Sequence, residues 1–339
     1  MIRAAPLFAA LLCLLAASCA PVVKPMGPPV EAPRLDAAAD RLIAADGAVL
    51  PLRAWLPQGK PRAVILGLHG FNDYANAFAM AGEWWAKQGI ATYAYDQRGF
   101  GGAPNRGYWP GTATMVADLR AAARTIKARH PDVPLWLVGD SMGGAVVMVA
   151  FAERPMQQVA GAVLAAPAVW GRSFMSPVEK GVLWLLARTI PWYPLTGQGL
   201  GRMPSDNIPM LRRLSRDRKV IHETRVDAVE GLVDLMDEAL ADASRLDGPP
   251  VLMLYGLNDQ IVPESPAIAA MRLMPKDGRN RAALYTGGYH MLLRDLKAER
   301  VWRDIAAWID DPRAPLPSGA DARAQKLLTG TDRAAGNRD

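Results

Sequence analysis

The chain of 339 residues has only two cysteines, Cys13 and Cys19, and only four histidines, His69, His130, His222 and His290. Both cysteines fall near the start, so the body of the chain offers no disulfide framework, and no cluster of metal-ligating residues stands out. Long runs of Lys or Arg are absent although the net charge is +6. No nucleic-acid motif is present, and the diffuse basic balance implies no more than a preference for anionic surfaces. There is no internal repeat. The one markedly apolar run outside the core-like segments, Leu7 to Ala17, is too short to span a bilayer with ease.

What is present is globular: hydrophobic residues make up 50% and charged residues 21%, ample material for one large domain. The opening "MIRAAPLFAALLCLLAASC" has Arg3, an apolar stretch and then small residues, the layout of an export signal over 1–19. Its end, "AASC", resembles a bacterial lipoprotein box, with Ala16 where leucine is commonest, so Cys19 is the expected lipidation site and the protein is expected on the periplasmic side as a membrane-anchored lipoprotein. A plain secretory signal is the alternative. Residues 20–37 carry Pro21, Pro25, Pro28, Pro29 and Pro33 and are expected to be an extended spacer rather than a packed element. Residues 312–339, rich in Ala, Gly, Pro, Asp and Arg, are expected to be disordered.

Between these ends, strand and helix alternate. "RLIAADGAVLPLRAWLP" predicts two strands turning at Asp46-Gly47. The apolar runs "RAVILGLHG", "GIATYAYDQRG", "LWLVGDS", "VAGAVLAAP", "PPVLMLYGLND" and "RAALYTGG" predict buried strands. Helices are expected over 75–87 and 112–129, after "GDS", and over 297–310, where Val301, Trp302, Ile305 and Trp308 share one side. Such alternation predicts a mainly parallel sheet covered on both faces, with reactive residues at the carboxyl ends of its strands.

Gly139-Asp140-Ser141-Met142-Gly143 is G-x-S-x-G between a strand and a helix. A turn that sharp strains its central residue, and any side chain at the flanking glycines would meet the neighbouring strand or helix. The Ser141 oxygen is thereby lifted clear at a helix N-terminus. Serine is a weak nucleophile and needs a base. His130 precedes Pro131 at an expected helix end, and His222 lies in a charged segment; both suit surface or structural roles. His69 ends a strand, and His290 follows the last one. Asp259, in "YGLNDQIVP", sits in a turn after a strand. The order Ser141, Asp259, His290 matches one fold in particular.

With "LHGFND", "YDQRGFGGA", "GDSMGGAVV", "GLNDQIVP" and "GYHMLLRD", the chain resembles the α/β-hydrolase fold over residues 38–311, and within it the monoacylglycerol lipase and lysophospholipase group, which shares its triad with related serine aminopeptidases. The resemblance implies Ser141 as nucleophile, Asp259 as orienting acid and His290 as base. It implies an oxyanion hole from the Phe71 and Met142 N–H groups, with His69 and Gly70 shaping that loop. Two stretches depart from the group. The loop reads His69-Gly70-Phe71-Asn72-Asp73-Tyr74 where H-G-x-G-E-H is usual, and Asp140 stands where histidine usually precedes the serine.

The alternation stops over about 167–244, where the fold carries a helical cap after the strand at 159–165. Aromatic residues crowd its first half. Trp170, Phe174, Trp184 and Trp192 are expected either to bury one cap face on the main domain or to line an acyl groove or touch lipid. The charged second half is expected to be a solvated outer face. The reading is therefore a serine hydrolase of carboxylic esters, of acylglycerol or lysophospholipid type. It is expected to act without metal or organic cofactor on a lipid or small ester and beside a membrane, with no nucleic-acid partner. An aminopeptidase or amidase, or an acyltransferase, on the same fold is the alternative.

Overall fold

The structure is a computed structural model, and it describes residues 20–36, 40–197 and 201–330. Among these, nine strands form one sheet: β1 (Arg34–Asp36), β2 (Arg41–Ile43), β3 (Val49–Trp55), β4 (Ala63–Leu68), β5 (Ile90–Tyr95), β6 (Leu135–Asp140), β7 (Gly161–Ala165), β10 (Val251–Gly256) and β11 (Arg281–Tyr285). The order is β1-β2-β3-β5-β4-β6-β7-β10-β11. The pairs from β1 to β5 run antiparallel, and from β5 to β11 all pairs are parallel. The small strands β8 (Pro194–Leu195) and β9 (Thr224–Arg225) pair with each other elsewhere.

The central strands read as unbroken apolar runs because both faces are covered. Alternate residues feed two separate cores. Leu66, Leu137, Leu164 and Met253 join a cluster with helices α2 (Thr112–Arg129), α3 (Met142–Glu153) and α7 (Glu264–Leu273). Ile65, Trp136, Val163 and Leu252 join the opposite cluster, with α1 (Ala79–Lys87) and α8 (Ala298–Asp310). Val301, Trp302, Ile305 and Trp308 of α8 are all buried. Among the described residues, no helix is long and apolar enough to cross a membrane.

Three expectations are corrected. Residues 20–36 do not form a free spacer but a strap laced onto the domain. Its prolines have no N–H, but the residues between them do. The Lys24 N–H reaches Trp109 O at 2.8 Å, Met26 reaches Thr114 Oγ1 at 3.1 Å and Gly27 reaches Asp46 Oδ2 at 2.9 Å, before β1 joins the sheet.

Residues 312–330 of the C-terminal segment are ordered as well, while 331–339 lie outside the described residues: α9 (Ala320–Thr329) lies on edge strand β11. Leu316, Ala320 and Ala324 are buried, Asp321 pairs with Arg281, and Arg323 Nη1 donates to Leu284 O at 2.7 Å. Alanine is a strong helix former and here also the contact residue, so a composition that looks solvated packs as an edge cover.

The charged half of the cap, finally, is not a solvated outer face. In α4 (Pro177–Thr189) only Ala187 is buried. In α6 (Val226–Asp242), within the charged half, Val226, Val233, Leu235, Met236, Ala239 and Leu240 are buried. The short α5 (Ile208–Leu214) lies between them in sequence and buries only Met210.

Candidate functional site

The site lies where the parallel strands end. β6 runs out at Asp140, and Ser141 takes φ 51°, ψ −112° before α3 begins at Met142. A Cβ at Gly143 would stand 2.1 Å from Leu68 O, and one at Gly139 2.6 Å from Gly143 O. Both glycines are therefore required by close backbone approach. The bend is held from three sides: Ser141 N donates to Ala165 O at 2.9 Å, and Ser141 O accepts from Ala145 N at 3.1 Å and Ala168 N at 3.0 Å. The α3 N-terminus places the positive end of a helix dipole beside the hydroxyl.

His290 is carried by the loop after β11 and Asp259 by the loop after β10. His290 Nδ1 lies 2.8 Å from Asp259 Oδ2. The other carboxylate oxygen, Oδ1, accepts the Ile261 N–H at 2.7 Å and the Val262 N–H at 3.0 Å. The aspartate side chain is thus buried, fixed and acceptor-only. It requires the proton on Nδ1 and leaves the Nε2 lone pair to act as a base. Burial of His290 opposes its protonation, but the charge and hydrogen bond of Asp259 and the charge of Asp140 outweigh it, so the imidazole is shifted above its ordinary range.

The other histidines are engaged differently. His69 Nδ1 faces Gly70 O at 2.8 Å while Nε2 accepts the Gln97 N–H at 2.9 Å, so neither nitrogen is available; burial also pushes its pKa down. His130 contacts the Tyr93 hydroxyl at 2.9 Å. His222 is exposed.

The loop after β4 closes over the elbow: a Cβ at Gly70 would lie 3.3 Å from Ser141 Cβ. The Phe71 and Met142 N–H groups meet no acceptor among the described residues. Unclaimed N–H pairs beside a nucleophile are what a developing oxyanion requires. Phe71 is wedged edge-on to Phe100, ring centroids 5.5 Å apart. The same loop is tied to the cap, because Asn72 Nδ2 donates to Thr224 Oγ1 at 2.6 Å and Tyr74 O–H to Asp217 Oδ2 at 2.7 Å.

The four cap aromatics differ in their surroundings. Trp170 packs half-buried against the core beneath the Arg202 guanidinium. Phe174 borders a groove of about 880 Å³ shared with Ile268 of α7 and Leu327 of α9. Trp184 is 56% exposed and Trp192 53%. Cys19 lies outside the described residues. The sequence reading also passed over a buried charged group around Asp73, Asp140 and Arg294. Its visible signal is Asp140, an acid where the resembled group usually has histidine, with Asp73 standing where that group has glutamate.

Comparison with known proteins agrees with this layout. The family model described as serine aminopeptidase, S33, matches residues 59–297. A monoglyceride lipase of Rattus norvegicus is 27% identical over 278 residues, covering 79% of this chain and 89% of that protein. A monoacylglycerol lipase of Mycolicibacterium smegmatis is 25% identical over 261 residues, 75% of this chain and 90% of that one. Among solved structures, a soluble variant of monoglyceride lipase from Saccharomyces cerevisiae in complex with a substrate analog superposes with a TM-score of 0.67 at 19% identity, covering 85% of this chain and 98% of that one. The monoacylglycerol lipase of Paleococcus ferrophilus does so at 0.62 and 23% identity, covering 77% and 98%. The elbow, the parallel sheet and the matched span agree: this chain belongs to the S33 family of hydrolases and has the α/β-hydrolase fold.

Proposed function

We propose that this protein hydrolyses carboxylic esters of lipids, of monoacylglycerol or lysophospholipid type, through an acyl-enzyme on Ser141. The observation that carries the reading is the strained Ser141 at the sheet's carboxyl edge, together with a His290–Asp259 pair joined at 2.8 Å. His290 Nε2 takes the hydroxyl proton as Oγ attacks the ester carbonyl. The oxyanion is held by the Phe71 and Met142 N–H groups, donors of a kind each worth about 10²–10³ in rate. His290 then protonates the leaving alcohol, and the same nitrogen activates water to release the fatty acid. No step calls for a metal or organic cofactor. The relatives named for monoacylglycerol hydrolysis favour an ester over a peptide substrate.

The test is fluorophosphonate labelling combined with turnover of p-nitrophenyl esters and monoacylglycerols of increasing acyl length. Wild-type protein should label at Ser141, and Ser141→Ala should lose both labelling and turnover while staying folded. Faster turnover of aminoacyl amides than of any ester would refute the ester reading.

The same reading sets the enzyme at a membrane. Val178, Val182, Trp184 and Leu185 expose apolar side chains along α4. The N-terminus of that helix is closed by a capping box between Ser176 and Glu179. Such a helix, with Lys180 and Arg188 at its flanks, suits the surface of an anionic bilayer. The strap itself meets the cap at Val22. Val22 N donates to Asp227 Oδ2 at 3.2 Å, Asp227 N donates to Pro191 O at 3.0 Å, and Trp192 and Tyr193 beside it are exposed. Cys19 is three residues from Val22, a reach of at most about 11 Å. A lipid on Cys19 would thus enter the bilayer next to the exposed cap face.

A further inference from the structure

Three loops carry the proposed chemistry: the one after β4 with Phe71, the elbow with Ser141, and the one after β11 with His290. Each also contributes a buried charged residue to one cluster. Asp73 lies two positions past Phe71, Asp140 immediately precedes Ser141, and Arg294 lies four positions past His290. Their side chains are 7%, 6% and 7% exposed. Arg294 Nη2 lies 2.6 Å from Asp73 Oδ2 and 3.9 Å from Asp140 Oδ2. One guanidinium from the His290 loop thus faces carboxylates from both other loops.

The remaining contacts of the cluster are local or lead to the cap. Asp73 Oδ1 accepts the Tyr74 N–H at 2.8 Å. Asp295 holds the Tyr289 N–H at 2.8 Å and the Ser205 hydroxyl at 2.6 Å. Asn207 Nδ2 donates to Arg294 O at 2.9 Å. Asp140 Oδ1 has no hydrogen-bond partner. These bonds tie the His290 loop to the cap, and Asn258 N to Gly288 O at 2.9 Å and Trp302 Nε1 to Leu293 O at 3.0 Å tie it to the main domain; Arg294 is the charged side chain that links it to the elbow and to the oxyanion loop.

We propose that Arg294 and Asp140 are positioning residues for His290: the guanidinium, shared between Asp73 and Asp140, registers the base loop against the elbow and the oxyanion loop, and the two opposite charges together set the charge felt by the imidazole. This rests on the reading of His290 as the base. The charged groups facing the imidazole are Asp259, Asp140 and Arg294, the first two favouring its protonated form and the third opposing it. Asp140 itself is pushed up to about 6 by burial, against the pull of Arg294 and His290. It is an expensive charge to keep beside a nucleophile. A role in stabilising the imidazolium that forms during proton transfer gives it a reason to be there.

The test compares pH profiles of kcat/KM and the split between kcat and KM on a soluble short-chain ester for Asp140→Asn, Arg294→Lys and Arg294→Met. Asp140→Asn removes an anion from the imidazole, so the acid limb should move to lower pH. Arg294→Met removes the cation, so the limb should move to higher pH, with kcat reduced about 10–100-fold by misplacement of the base and KM little changed. Arg294→Lys keeps the cation and should leave the limb near its wild-type position. Limbs that move in the same direction in Asp140→Asn and Arg294→Met, or stay still in both, would overturn the proposal. If Arg294→Met does not fold, Asp140→Asn, nearly isosteric and free of a disfavoured buried charge, decides the matter alone by the direction of its limb. Labelling of wild-type Ser141 by fluorophosphonate together with loss of turnover in His290→Ala keeps the base reading intact, so an unmoved limb then refutes this inference and nothing else.

Discussion

Ser141 is held at φ 51°, ψ −112°, a region that residues with a side chain rarely occupy. Conformations of this kind cost about 1–3 kcal/mol each. The strain can be measured by comparing two substitutions that both delete the hydroxyl. Ser141→Ala keeps the Cβ and therefore the strain. Ser141→Gly removes the Cβ and relieves it, but gives the unfolded chain back about 0.4–1 kcal/mol of conformational entropy. Subtracting the second term from the first makes the glycine variant more stable than the alanine variant by about 1 kcal/mol, with an upper limit near 2.5 kcal/mol. For a chain of this size the unfolding entropy converts each kcal/mol into roughly 1–2 °C of Tm. Urea unfolding is the more sensitive assay: the midpoint should rise in Ser141→Gly relative to Ser141→Ala at unchanged slope. Both variants should be equally inactive. The reasoning is refuted if the glycine variant is the less stable of the two by about 0.5–1 kcal/mol, because that is the entropy term with no strain to offset it.

Two further expectations concern the ends of the chain and the cap. Truncation after Pro315 removes Leu316, Ala320 and Ala324 from buried positions and uncovers β11. At about 1.5–3 kcal/mol for the leucine and about 0.8 for each methyl, the loss should be roughly 3–5 kcal/mol. It should be visible as a lower Tm and as aggregation by light scattering; an unchanged Tm would show that α9 does not cover the sheet. For the membrane reading, Val182→Ser with Leu185→Ser should weaken flotation with anionic vesicles by an order of magnitude or more while soluble short-chain esters are turned over as before. Cys19→Ala in the exported chain should move the protein from the membrane to the soluble fraction. A wild-type protein already soluble, with an unmodified mature N-terminus, would refute the anchor.

How much could be read in advance follows from how local each feature is. The elbow is a contiguous signal: Gly139, Ser141 and Gly143 answer to constraints within five residues and one adjacent strand, Leu68 included. The parallel strands were equally legible, because burial on both faces leaves an unbroken apolar run whatever the neighbours are. Asp259 and His290 were found through chain order and a familiar motif, not through any local pattern that demands their pairing. The misreadings share the opposite character.

The strap was taken for a spacer because proline content reports backbone stiffness and says nothing about acceptors waiting elsewhere, such as Trp109 O and Asp46. In the cap, charge along α6 predicts exposure, and apolar content along α4 leaves burial and a lipid-facing role both open. Burial belongs to geometry: α6 has a core to lie on, while α4 turns its apolar side chains outward. The composition of α4 contradicts its exposure, since solvent-exposed Val178, Val182, Trp184 and Leu185 contribute little to stability. The same reasoning applies inside the site, where Asp140 sits buried with an unpartnered oxygen. Each is a local conflict with the folding rules that the rest of the chain obeys, and such conflicts concentrate where function is carried.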